Sequence, residues 1–357
     1  KVIFNLANIF EKKTITDIDP LPISGLLKHN TFFNNHFLKL EEKQSESLWQ
    51  AIHIYDSLLT STNSVEANYR LGEIRYRILG DLDGAMQHYK DVIENKRNTK
   101  LIIECVSRIA DVYIAKGDLN GAENVLVKYI DDIRLKKFQT ELDIKQAQLY
   151  FLKGELDTLN AHLKNKLNLL SLDNELFNDI LEIRSLLAYF QQSQEWFKPF
   201  AEIQLLLQQN KREEALEMLL GRSNEISQAL VFRRTRVGVD KLVHYLHRNG
   251  WNAEAIHGDM SQAHRNAVML KFRSGNLRVL VATNVAARGL DIPEVSHVIN
   301  YDMPDNVEEY IHRIGRTARM GRMGTAITFV SEWDFAVLDL IREHVGDNLQ
   351  FIELNLN

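Results

Sequence analysis

From Glu309 the chain reads Glu-Tyr-Ile-His-Arg-Ile-Gly-Arg-Thr-Ala-Arg-Met-Gly-Arg, ending at Arg322. On a helix, His312, Arg316 and Arg319 fall at i, i+4 and i+7 and share one face. Cations gathered so closely repel one another unless an anion sits opposite, and no Glu occurs from Ile311 to Met323 to intersperse them. Gly315 and Ala318 leave room for close backbone approach. This pattern suits a polyphosphate, with arginine reaching the charge that develops on a transferred phosphoryl group.

Three further segments offer phosphate chemistry. Arg278 to Ala282 is an apolar strand that ends in Thr283, whose hydroxyl and backbone N–H suit a phosphate. Beyond it Gly289 permits a turn, and Asp291 supplies a carboxylate able to accept hydrogen bonds from ribose hydroxyls. Leu230-Val231-Phe232-Arg233-Arg234-Thr235-Arg236 is a second strand ending in Thr and Arg. His257-Gly258-Asp259-Met260-Ser261 then opens a helix whose first turns hold Gln262 and Arg265, and a helix N-terminus beside an arginine attracts phosphate.

The elements that must position these residues alternate. Strands are expected at 229–232, 253–256, 278–282, 297–299 and 325–330, with helices at 238–249, 261–273, 306–320 and 334–344. Apolar strands separated by amphipathic helices predict a parallel sheet covered on both faces, whose functional loops lie beyond the C-terminal ends of the strands.

Leu230–Arg236, the Gln262/Arg265 pair, Ala282–Asp291 and His312–Arg319 together resemble motifs of the DEAD-box ATP-dependent RNA helicases, in their second, C-terminal RecA-like domain. The resemblance covers about residues 226–345. It implies that Thr235, Gln262, Arg265 and Thr283 contact RNA along its sugar–phosphate backbone, without sequence preference. It also implies that Asp291 meets the ATP ribose with Gly289 in the same nucleotide-binding loop, that Arg316 and Arg319 act as arginine fingers on the γ-phosphate, and that His312 couples the ATP and RNA sites. Asn284 and Ala318 depart from the family's commoner Asp and Gly. A larger departure lies elsewhere: the sequence contains no Gly-Lys and no Asp-Glu dipeptide, hence neither a Walker A loop nor an Asp-Glu-Ala-Asp motif. ATP with Mg2+ is therefore expected only where a first RecA-like domain is supplied, and no hydrolysis is expected from this chain alone.

Ahead of this region the grammar is helical. Gly80-Asp81-Leu82-Asp83-Gly84-Ala85 returns as Gly117-Asp118-Leu119-Asn120-Gly121-Ala122, and more loosely as Gly154-Glu155-Leu156-Asp157-Thr158-Leu159, each step 37 residues. Apolar and aromatic helix patterns flank every copy, and helices over 45–220 are expected to run without proline breaks. A helix–Gly turn–helix period of this length predicts an α-solenoid resembling tetratricopeptide repeats, with a concave surface for a protein or peptide. The expected organisation is a partly helical N-terminal segment (1–44), an all-α repeat solenoid (45–220) and an α/β parallel-sheet domain (221–357). Lys211–Leu220 reads equally as a last repeat helix or as the leading helix of the α/β domain. A repeat scaffold carrying a passive RNA-binding or vestigial helicase module is the alternative reading.

Composition narrows the classes. Of 357 residues 45% are hydrophobic and 25% charged, as in folded globular proteins, and the net charge is −5. From Gly221 onward 14 Arg and 2 Lys balance 16 acidic residues, and arginine preferred over lysine suits planar two-pronged contacts with phosphate or carboxylate. The single Cys105 excludes an internal disulfide and a Cys-built zinc site. His244 and His247 have no acidic or Cys partners to complete a metal set, so no metal ligands are expected. The absence of a long apolar run or signal-peptide pattern places the expectation in the cytoplasm, and a start on Lys1 reads as a trimmed or partial chain.

Overall fold

The computed structural model describes residues 3–7, 42–95, 98–166, 180, 184, 187–188, 190–191, 194–222, 226–287, 295–317, 324–330 and 334–345. The chain divides into two compact units, Lys1–Asn210 and Lys211–Asn357. Among the described residues no helix is long and apolar enough to cross a membrane.

The first unit is helical. Its main helices are α1 (Glu42–Thr62), α2 (Val65–Ile74, prolonged by a wider turn over Arg75–Leu79), α3 (Leu82–Asn95), α4 (Thr99–Ala115), α5 (Leu119–Ile130), α6 (Gln139–Leu152), α7 (Leu156–Lys166) and α8 (Gln194–Gln208). From α1 to α7 each packs on the next. The three copies of the Gly turn fall at the ends of the α2 extension, α4 and α6, where Gly80, Gly117 and Gly154 take φ of 67°, 80° and 72°. That left-handed conformation costs glycine nothing and strains other residues. Asp81 and Asp118 then accept from the N–H groups of Gly84 and Gly121, starting the following helices. Pro199 does fall within the range expected to lack proline breaks; it sits in the second turn of α8, and the helix runs on through it.

Charges are buried where α2, α4 and α6 meet. Glu73 is fully buried and pairs with Arg108 at 2.9 Å, while accepting from the Tyr89 hydroxyl at 2.7 Å. Arg108 also pairs with Asp111 at 3.2 Å, and Asp111 with Lys145 of α6 at 2.7 Å. Burial works against the Glu73 carboxylate, but Arg108, Arg77 and the Tyr89 hydroxyl hold its pKa below the usual range. Glu104 has weaker compensation: burial pushes it up to about 7 despite a Tyr69 hydrogen bond, and neighbouring Glu73 adds to the rise.

The second unit is α/β. Helix α9 (Arg212–Arg222) precedes β1 (Ala229–Arg233), α10 (Arg236–Arg248), β2 (Ala253–Ile256), α11 (Gln262–Arg273), β3 (Val279–Thr283), a single helical turn (Asn284–Ala287), β4 (His297–Asn300), α12 (Val307–Ile314), β5 (Thr325–Thr328) and α13 (Phe335–Val345). The segment that read equally as repeat or leading helix, α9, thus falls in this unit. All five strands are parallel, in the order β2-β3-β1-β4-β5, with Ala229 opposite both Val279 and His297. Every residue of β3 and β4 is buried, the apolar run of β3 and also the polar His297 and Asn300 at the ends of β4. One face packs Leu230, Phe232, Leu280 and Ala282 against Val268 and Phe272 of α11.

Five expected strands are present, with ends shifted by no more than two residues. One helix differs: 306–320 was expected, and α12 stops at Ile314. Beyond it the chain turns to the sheet. The Val295 N–H donates to the Arg316 carbonyl at 3.2 Å, and the buried Thr317 hydroxyl donates to the Val295 carbonyl at 2.6 Å. These bonds compete with helix continuation, and residues 315–317 follow them.

Candidate functional site

The C-terminal ends of β2, β3, β1 and β4 lie along one edge of the sheet, and the sequence elements with phosphate chemistry follow those ends. Thr235 follows β1. It caps α10, its hydroxyl oxygen accepting from the Gly238 N–H at 3.0 Å, and the exposed side chain keeps its own O–H to donate. A side chain at 238 would lie 2.9 Å from both the Thr235 hydroxyl and the Arg233 guanidinium, so glycine is what lets this turn close.

The turn before Thr235 is held by Asp302, just past β4. One carboxylate oxygen pairs with the Arg233 guanidinium at 3.0 Å, and the other accepts from the Arg234 N–H at 2.8 Å. The Arg233 guanidinium also lies over the Tyr301 ring, 4.2 Å from its centre. Arg236 and Asp259 form an exposed ion pair that joins the loops after β1 and β2.

Gln262 and Arg265 stand on the first turns of α11, which Ser261 caps. Gln262 is exposed and donates to Asn266 on its own helix at 2.9 Å. Arg265 is half-buried and donates to the Ala286 carbonyl at 3.2 Å, which ties α11 to the turn that follows Thr283. Thr283 ends β3 and is buried. Arg265 and Thr283 are thereby brought to adjoining segments.

His312 is exposed on α12. Arg316 does not share its helical face as the spacing predicted, because α12 has ended; it is half-buried in the turn bonded to Val295. Arg319, Gly289 and Asp291 lie outside the described residues.

Sequence reasoning passed over Arg313. Arg313 is buried, with its guanidinium paired to Glu309 and donating to the Asn300 side chain at 3.2 Å and the Asp302 carbonyl at 2.9 Å. It also covers the Phe232 ring at 5.0 Å. Burial pulls its pKa down, and Glu309 and Asp302 oppose that pull. Asn300 is fully buried and donates to Thr328 of β5 at 3.0 Å. Glu309 is therefore a core ion-pair partner. The i, i+4 spacing of Glu309 and Arg313 was the available signal.

Residues 210–321 match the family described as the helicase conserved C-terminal domain. This stretch is a helicase C-terminal domain. Over 122 residues the chain is 51% identical to the ATP-dependent RNA helicase CshA of Listeria monocytogenes, covering 34% of this chain and 24% of that protein. Over 131 residues it is 47% identical to the eukaryotic initiation factor 4A-III homolog B of Oryza sativa subsp. japonica, covering 37% and 32%. The chain thus spans about a quarter to a third of the length of these relatives. Among solved structures it is similar to the Escherichia coli DEAD-box protein SrmB bound to regulator of ribonuclease activity A, at 43% identity over 38% of this chain and 79% of that one, with a TM-score of 0.36. In this domain Thr235, Gln262, Arg265 and Thr283 lie at or shortly after the C-terminal ends of β1, β2 and β3, His312 is in the last turn of α12, and Arg316 is bonded through its backbone to Val295, ahead of β4.

Proposed function

We propose that the second unit is the C-terminal half of a DEAD-box-type ATP-dependent RNA helicase, and that the helices before it are a tetratricopeptide-like scaffold for a protein or peptide. One observation carries the first part: hydroxyl, amide and guanidinium groups converge on one edge of a parallel sheet, within a stretch that matches a helicase domain. In this reading Thr235, Gln262, Arg265 and Thr283 grip RNA through its phosphates and sugars, so sequence matters little. Arg316 and Arg319 act on the phosphates of a nucleotide, His312 links the two sites, and Asp291 meets the ribose with Gly289 in the same nucleotide-binding loop.

The donors of this chain fit phosphate. Bound ATP with Mg2+ would supply the phosphoryl group to be transferred, and the cradle for both would come from a first helicase domain. What this chain contributes is positive charge placed in advance and an RNA-binding edge that closes against that domain. The similarity of the matched region to the two named helicases supports the reading. So does the repeated Gly turn with its left-handed glycines, for the scaffold.

Titration of a labelled single-stranded RNA with the intact chain at several salt concentrations tests the RNA contact. The expected result is weak binding that falls steeply with salt, by roughly one power of salt concentration for each phosphate neutralised. Salt-independent affinity contradicts backbone recognition.

A further inference from the structure

Arg313 lies between His312 and Ile314 in a run of cations, three of which (His312, Arg316 and Arg319) have a spacing that suits phosphate. Its side chain goes the other way. It is 2% exposed, and its two terminal nitrogens donate to Glu309 on its own helix, Asn300 at the end of β4 and the carbonyl of Asp302, while Nε is buried without a hydrogen-bond partner. Asp302 faces outward from the same point, where its two carboxylate oxygens hold the Arg233 guanidinium and the Arg234 N–H. The residue after Arg234 is Thr235, the cap of α10.

Arg313 therefore fixes residue 302 from within while residue 302 fixes the β1–α10 turn from without. A planar fork with several donors can satisfy three acceptors from one buried point; an ammonium group on a flexible stem cannot hold that geometry. We propose that Arg313 is a positioning residue: it touches neither nucleotide nor RNA, and it sets the place of the Arg233–Thr235 turn on which RNA contact depends. The last clause rests on the RNA-binding reading above. The positioning itself stands on the hydrogen bonds.

Two variants of the intact chain separate these claims. Arg313→Lys keeps a cation beside Glu309. The pair Arg313→Met with Glu309→Leu removes both charges, so that no carboxylate is left buried and unmatched. Hydrogen exchange at the Arg234 and Gly238 amides reads the turn directly, with the Val231 and Val281 amides of the central strands as internal reference. Both variants are expected to speed exchange at 234 and 238 by about tenfold, the scale of one lost charge-assisted hydrogen bond, with the strands unchanged. Unchanged exchange at 234 and 238, or acceleration shared equally by the strands, overturns the proposal. In parallel, RNA affinity should fall in both variants while the slope of its salt dependence stays that of the parent chain. A slope shallower by about one in the paired variant overturns the proposal, because it means that Arg313 itself neutralises a phosphate. If the parent chain binds no RNA, the RNA reading fails and the exchange experiment alone decides the positioning claim.

Discussion

Single side chains at the sheet edge carry two kinds of work, and Thr235 shows both. Its hydroxyl oxygen accepts from Gly238 and stabilises α10, while its O–H remains for a ligand. Thr235→Ala removes both at once and is expected to lower stability by about 1 kcal/mol. Thr235→Ser keeps the cap and the donor. Chemical denaturation should place the Ser variant near the parent and the Ala variant below it, and RNA titration should follow the same order. An Ala variant as stable as the parent would mean that the cap contributes nothing. Among the residues singled out from sequence, Thr235, Arg265 and Thr283 lie at strand ends or on the first helical turns after them, and His312 in the last turn of α12. Arg313 was not read from the sequence, because its i, i+4 spacing to Glu309 suits a surface pair as well as one turned into the core. Its orientation is set by Asn300 and Asp302, more than ten positions away.

Between elements, the sequence pattern was strongest where one periodicity acted alone. The buried strands β1 and β3 announce themselves as short apolar runs, and the left-handed glycines at 80, 117 and 154 as a repeat. The end of α12 could not be read in that way. Helical spacing continues past Ile314, but tertiary bonds from Thr317 and Arg316 to Val295 draw the chain away. The charged contacts joining α2, α4 and α6 were equally hidden, since a buried Glu looks like a surface one in sequence. They yield a pH prediction. The carboxyl of Glu104, almost fully buried on α4, has a folded pKa of about 7 against 4.5 when unconstrained. Below pH 4.5 it is protonated both folded and unfolded, so its ionisation costs the fold nothing. As pH rises through 7 the folded unit carries a buried carboxylate, and stability should drop by roughly 3 kcal/mol at most. Glu73 titrates below 4.5 and loses its contribution as pH falls, so the two windows do not overlap. Glu104→Gln should be increasingly more stable than the parent between pH 4.5 and 7, measured as the difference in thermal midpoint. A difference that stays constant across this range would show that Glu104 is ionised throughout.

For the whole molecule, the decisive fact is that a helicase C-terminal domain occupies residues 210–321 and a helical unit precedes it. Arginines placed to meet a phosphoryl group accelerate hydrolysis only when the rest of the phosphate cradle is present. The most direct measurement mixes the intact chain with a separately expressed first helicase domain and follows ATP hydrolysis with and without single-stranded RNA. RNA-stimulated hydrolysis absent from either component alone is the predicted result, and Arg316→Ala should reduce it by about 10³-fold or more. Hydrolysis that never exceeds the sum of the separate components, or that is indifferent to Arg316→Ala, would contradict the account.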